Sequence, residues 1–197
     1  NGDYASQLLT RTLRQFKSSR LAAVSKARLV KSLDDCNAQL VAKADKEQVD
    51  VIGCTAVLLQ ARQNSLLCSW SGDSRAYRLR NGELLQMTRD HSQQSAVEDR
   101  DQLRHPVSFI EPTQMLTSAI GGAPELALEH CWFRHQDDDA YLLCTDGLNK
   151  EVSDVEIQQA MQQANDGKAV LDTLARLYQQ RGARDNVGMI WITRSDR

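Results

Sequence analysis

Three aspartates in this chain share one kind of position. Asp73 follows the apolar run 66–70 and lies in Gly72-Asp73-Ser74-Arg75. Asp146 follows Tyr141-Leu142-Leu143-Cys144 and lies in Thr145-Asp146-Gly147. Asp185 lies in Arg184-Asp185-Asn186, just ahead of an apolar run at 187–193. Each carboxylate sits at the end of a strand-like segment, beside a residue that permits a tight turn. Strand ends gather loops, so the three are able to meet at one mouth. Converging carboxylates repel one another unless a cation neutralises them, and hard cations such as Mg²⁺ or Mn²⁺ prefer such oxygen donors. Asp-Gly, Asp-Ser and Asp-Asn are also ordinary turn dipeptides. The separations contain no local ligand motif, so spacing leaves both readings open.

The elements around these residues follow from periodicity. Residues 4–16 place Tyr4, Leu8, Leu9, Leu13 and Phe16 on one helical stripe, and 21–44 continue one through Leu29, Leu33, Cys36, Leu40 and Val41. The charged stretch 43–50 is expected to end that helix. From Gly53 the period shortens. Segments 55–59, 66–70, 76–80 and 83–87 read as four consecutive antiparallel strands, the last two joined by Asn81-Gly82, a type I′ hairpin signal. Residues 89–118 are polar and weakly periodic, so they read as a long loop or small subdomain with a short helix near 93–99. Strands resume at 126–133 and 140–144. Ser153-Asp154-Val155-Glu156 has capping-box form and opens a helix, and a second follows with Gly182 as its stop. The run 187–193, apolar on both faces, predicts a central strand. Helices and antiparallel strands are segregated, so the class is α+β. With no repeat or linker, residues 1–197 read as one domain.

Composition narrows the function classes. The 197 residues carry 24 Lys+Arg against 26 Asp+Glu, a formal net charge of −2, and 5% aromatics. That argues against a nucleic-acid or anionic-membrane partner and against a base-stacking platform. No segment approaches the ~18 to 20 apolar residues of a membrane span. Cys36, Cys54, Cys68, Cys131 and Cys144 are odd in number, form no C-x-x-C pair and sit among apolar neighbours, which reads as buried thiols in a reducing cytoplasm.

Five motifs occur in order. They are Gly53-Cys54-Thr55-Ala56, Gly72-Asp73-Ser74-Arg75-Ala76-Tyr77, Thr88-Arg89-Asp90-His91-Ser92, Leu142-Leu143-Cys144-Thr145-Asp146-Gly147-Leu148 and Asp185-Asn186-Val187. The series resembles the metal-dependent serine/threonine protein phosphatases of type 2C, in their compact bacterial form. The resemblance implies a four-layer α-β-β-α sandwich of two antiparallel sheets flanked by helices. It implies two or three Mn²⁺ or Mg²⁺ ions, with Asp146 and Asp185 as ligands of the first metal and Asp73 and Asp146 as ligands of a weaker third. It implies hydrolysis of phosphoserine and phosphothreonine by attack of a metal-activated water, on a phosphorylated protein substrate, opposing a Ser/Thr kinase. Residues 89–118 match the family's flap beside the site and are the suspected substrate contact. Gly147 and Asn186 are expected to support the ligands from behind. The family opens with an R-x-x-N-E-D strand and a D-G-M-G-G-H turn, which supply a phosphate-binding Arg and the Asp that bridges two metals. Neither is in this sequence, and Gly2-Asp3-Tyr4-Ala5-Ser6 resembles the piece that follows that turn. The expectation is therefore a phosphatase domain without its N-terminal strands, nearly inactive by itself. The rival reading is a non-catalytic module that keeps the fold and binds a phosphoprotein or kinase.

Other conspicuous residues have plainer expectations. Asp137-Asp138-Asp139 reads as a solvated loop between strands. Arg75 is expected to pair with a nearby carboxylate, His91 to be structural, and His130 and His135 to face opposite sides of a strand. Trp70, Trp132 and Trp191 are core candidates.

Overall fold

The computed structural model describes residues 2–62, 64–91, 102–103, 119–164 and 166–194. Most of the expected flap, with its short helix near 93–99, lies outside them. The chain divides into two compact units interleaved in sequence. The first comprises Asn1–Leu58, Ser69–Gly72 and Pro106–His130, and the second Leu59–Cys68, Asp73–His105 and Cys131–Arg197.

The first unit is built on α1 (Gly2–Gln15) and α2 (Ala22–Glu47). Their stripes bury Ala5 and Leu9 with Leu29, Leu33, Cys36 and Leu40, and Ile52 and Ile120 complete the cluster. Leu33 and Leu40 are fully buried, each worth roughly 1.5–3 kcal/mol relative to exposure. Tyr4 leaves the stripe: it is exposed, with the Lys43 ammonium 4.5 Å from its ring centre. α2 runs past the expected end because Lys43 and Glu47 pair one turn apart, which supports another turn of helix. It stops at Gln48, in the left-handed region at φ 52°. Asn37, buried on α2, accepts from the Gly121 N–H at 2.6 Å and donates to the carbonyls of Ala123 and Pro124 at 2.9 and 3.2 Å. Those bonds hold residues 121–124 against the helix.

The strands are β1 (Ala56–Ala61), β2 (Ser65–Ser71), β3 (Arg75–Arg80), β4 (Glu83–Gln86), β5 (Gln102–Leu103), β6 (Glu129–Arg134), β7 (Ala140–Cys144) and β8 (Met189–Thr193). They form two four-stranded sheets, ordered β1-β2-β6-β5 and β4-β3-β7-β8. The four expected consecutive strands therefore divide two and two. The break falls at Gly72, whose φ of +101° suits glycine and whose missing Cβ makes room for Thr55. The Asn81-Gly82 hairpin forms as expected, with φ values of 51° and 79° and Arg80 opposite Glu83.

The sheet β4-β3-β7-β8 belongs to the second unit. α4 (Asp154–Gln163) and α5 (Gly167–Gln180) pack on it through Leu142, Ile157, Val170 and Leu174. At the head of α4 the Glu156 carboxylate accepts from both the Ser153 N–H and hydroxyl, at 3.0 and 2.7 Å. Asp166 caps α5 by accepting from the Ala169 N–H at 2.8 Å, and Gly182, at φ +108°, follows its end.

One expectation is corrected here. The strand predicted to be central, β8, is the sheet's edge among the described strands, and β7, buried at all five positions, is interior. Met189 and Trp191 turn toward the helix-facing cluster, whereas Ile190 and Ile192 are 58% and 38% exposed. An unbroken apolar run reports apolar side chains on both faces, not that both faces are covered. Trp191 is half-buried, with its indole where a Cβ on Gly167 would stand, and Trp70 is a true core residue.

Candidate functional site

Strand register brings the three aspartates together. Arg75 at the start of β3 pairs with Cys144 at the end of β7, and Cys144 pairs with Met189 at the start of β8. Antiparallel order therefore puts Asp73, Asp146 and Asp185 beyond the same end of three adjacent strands. Asp146 heads α3 (Asp146–Asn149), a one-turn helix that the sequence reading leaves out.

The turns bearing Asp146 and Asp185 are stitched together. The Thr145 N–H donates to the Gly188 carbonyl at 3.0 Å, and the Gly188 N–H donates to the Thr145 hydroxyl at 2.9 Å. The Asp185 carboxylate accepts from the Asn186 N–H at 2.7 Å, and the Tyr178 hydroxyl donates to the Asp185 carbonyl. Gly147 is required by this closeness, because a Cβ there would run into the Asn186 carbonyl oxygen. Gly147 and Asn186 thus meet through their backbones. Gly147→Ala is expected to cost about 1–3 kcal/mol, the usual penalty of overpacking, and to loosen the spacing of Asp146 and Asp185. Urea denaturation measures the first effect. Weaker Mn²⁺ binding in titration calorimetry measures the second.

The carboxylates of this sheet end act on one another electrostatically. Burial pushes the Asp73 carboxyl above its ordinary range, and the negative charge of Asp146 pushes it further. Its own backbone N–H and the Lys150 ammonium pull the other way. Lys150, one helical turn after Asp146, donates to the Asp146 carboxylate. Its ammonium is held above the usual lysine value first by that bond, then, against slight burial, by the charges of Asp146, Asp73 and Asp185. Among the described residues no three His, Cys, Asp or Glu side chains stand as a ready-made metal cage. The cation within the cluster is Lys150. In donor chemistry the set suits a hard divalent ion: all three are carboxylates, and the charge of Asp146 acts on Asp73. Sequence reading misses Lys150, although its i,i+4 spacing from Asp146 was a usable signal.

Neighbouring residues brace the site. Arg75 pairs with Asp90 in a fork, with Nε to Oδ1 at 2.8 Å and Nη2 to Oδ2 at 2.7 Å, and Thr88 accepts from the Ala76 N–H at 3.2 Å. The Thr88-Arg89-Asp90 motif thereby fixes the start of β3, and Arg75 has the carboxylate partner expected of it. His130 hydrogen-bonds Lys26 and His135 the Tyr141 hydroxyl, so the two histidines work separately. The Asp137–Asp139 run divides. Asp137 and Asp138 are exposed as expected, but Asp139 is buried and accepts a fork from Arg80 at 2.7 and 2.9 Å. The expectation of a solvated run fails for Asp139 because it leads directly into β7, an interior strand, where Arg80 at the end of the neighbouring β3 takes its carboxylate.

Several known proteins are similar to this chain. Serine/threonine phosphatase stp of Listeria innocua is 25% identical over 205 residues, spanning 98% of this chain and 79% of that protein. Serine/threonine protein phosphatase PstP of Mycobacterium tuberculosis is 28% identical over 194 residues, spanning 96% of this chain and 37% of that protein. Among solved structures, PppA, a key regulatory component of T6SS in Pseudomonas aeruginosa, superposes with a TM-score of 0.81 at 34% identity, covering 96% of this chain and 78% of that one. The catalytic domain of PstP in complex with 2 manganese ions superposes with a TM-score of 0.72 at 26% identity, covering 96% and 80%. The two antiparallel sheets with their helices match the fold of these solved structures. Residues 1–100 match the protein phosphatase 2C family, and with the aspartate-bearing turns of residues 73, 146 and 185 meeting at one sheet end, the chain belongs to that family.

Proposed function

We propose that this protein hydrolyses phosphoserine and phosphothreonine esters on proteins in a reaction that depends on Mn²⁺ or Mg²⁺, opposing a Ser/Thr kinase. The observation that carries the reading is the convergence of Asp73, Asp146 and Asp185 beyond one end of β3, β7 and β8, in a member of the 2C family. Asp146 and Asp185 would hold the first ion, and Asp73 with Asp146 a weaker further one. Bound divalent cations supply Lewis-acid chemistry, lowering the pKa of water and offsetting charge on the phosphate oxygens. The chain's own part is to fix where those cations sit. The Thr145–Gly188 bonds set the distance between two carboxylates, and the Arg75–Asp90 fork steadies the turn that carries the third. Residues 89–118 are proposed to choose among protein substrates.

A phosphocysteine route is disfavoured on physical grounds. Burial raises the thiols of Cys36 and Cys68 and pushes those of Cys54 and Cys144 up to about 11 and about 12. All five cysteines are free and four are buried, which suits a reducing cytoplasm better than nucleophilic catalysis. No helix among the described residues is long and apolar enough to cross a membrane. The test is phosphate release from phosphoserine and phosphothreonine peptides by the full-length protein. Release is expected to require Mn²⁺ or Mg²⁺ and to stop in EDTA. Undiminished release in EDTA would overturn the metal dependence. Tight phosphopeptide binding with no release would mean a binding module instead.

A further inference from the structure

The basic residues of this chain are unevenly spread. Residues 11–31 hold seven of the 24 Lys and Arg and no Asp or Glu, leaving 17 basic against 26 acidic residues elsewhere. That stretch is the end of α1, the turn after it and the start of α2, all within the first unit. Arg11, Arg14, Lys17, Arg20, Arg28 and Lys31 are exposed. Among the described residues only Lys31 of these six has an ion-pair partner, Asp35. Local stability gives no reason for the concentration. Arg14 suits the C-terminal end of α1, but Arg11, three residues before it, carries like charge on the same helix face. Arg20 stands ahead of α2, whose first turn carries no acid, so its charge opposes the helix dipole.

The same surface is grooved. A groove of about 510 Å³ between α1 and α2 is lined by Phe16 together with Lys17, Arg28 and Lys31, with Asp35 answering Lys31. A second, of about 490 Å³, presents Ala23, Ala27 and Val30, and the Lys31–Asp35 pair borders both. We infer that this α1–α2 face is a docking surface for an acidic segment of another protein, whose carboxylates meet Lys17 and Arg28 and whose apolar side chains enter the grooves. Charge complementarity names the partner's class, since the face is positive in a chain that is otherwise negative. A bilayer fits it less well. Helices that lie in a membrane surface keep an apolar stripe free, whereas α1 and α2 bury theirs together at Leu9, Leu29 and Leu33. A single nucleic-acid strand needs aromatic platforms, and Phe16, half-buried, is the one aromatic of residues 11–31.

The test is fluorescence anisotropy of the full-length protein with a labelled peptide of alternating Glu and Leu. Saturable binding is expected, weakening as salt rises because exposed charges are screened. Lys17→Glu with Arg28→Glu should weaken it at least about 10-fold, because like charge then meets like. The melting temperature should hold, both side chains being exposed. Lys17→Gln with Arg28→Gln removes the charge without reversing it and should fall between. The same peptide with Lys in place of Glu should not bind. No binding of the Glu peptide, or binding that both variants leave unchanged, would overturn the inference. Tighter binding to phosphatidylserine vesicles or to a single-stranded oligonucleotide would overturn it in favour of those partners. None of these measurements involves turnover, so they are independent of the hydrolysis proposed above.

Discussion

Asp146→Asn in the full-length protein is expected to lower phosphopeptide turnover at least ~10- to 100-fold at every Mn²⁺ concentration, since loss of even an outer partner of a metal ligand costs that much. Asn has the shape of Asp, so the head of α3 and the Thr145–Gly188 stitching should persist and the melting temperature should move little. What is lost is one negative charge at the position where Asp73 and Lys150 both sense it. Asp185→Asn should be similarly impaired, because its turn is bonded to that of Asp146. Asp73→Asn should lose less and recover partly at high Mn²⁺. If the three residues were only turn formers, each change would cost stability of about 1 kcal/mol and leave the rate per folded molecule intact. Metal stoichiometry, melting temperature and steady-state rates on the three variants separate these outcomes. Normal turnover by Asp146→Asn would end the assignment.

The largest stability effect is expected far from that cluster. Asp139 is buried, and Arg80 has a side-chain exposure of only 10%. Burial alone would raise the Asp139 carboxyl. The Arg80 guanidinium, the Gln136 N–H and the Tyr141 hydroxyl outweigh it and hold the carboxyl below its usual range. Asp139→Ala takes the forked carboxylate away from a largely buried guanidinium and should cost about 3–5 kcal/mol. That is a large part of the roughly 5–15 kcal/mol that keeps a domain folded. Replacing both partners together, Arg80→Met with Asp139→Leu, should recover much of the loss. The pH dependence has a definite sign. A carboxyl depressed in the folded state contributes stability that is complete above its unfolded pKa, near ~3.9, and fades as pH falls through the folded value. The gap between wild type and Asp139→Asn should therefore be full at neutral pH and narrow in acid. Urea unfolding from pH 7 down to about pH 3 measures it, and a constant gap would refute the charged pair.

Features whose causes lie within a few residues were legible from the sequence alone. Asn81-Gly82 demanded a left-handed turn and formed one. Ser153 and Glu156 announced the start of α4, and Gly182 the end of α5. The aspartates at positions 73, 146 and 185 were recognisable because strand ends and turn residues are local properties. Tertiary structure decided everything that depends on which distant segment lies alongside. The four-strand run was cut between two sheets at Gly72, because β2 found β6 and β3 found β7. Among the described strands β8 is an edge although its residues suit an interior, since hydrophobicity records what a strand can bury and not which strand lies beside it. Asp139 left solvent for Arg80, 59 positions earlier. The convergence of the three aspartates is itself a matter of register, set when Arg75, Cys144 and Met189 came level. Sequence supplied the carboxylates and the turns that hold them. Only long-range strand pairing, which no short window encodes, placed them beyond one end of β3, β7 and β8.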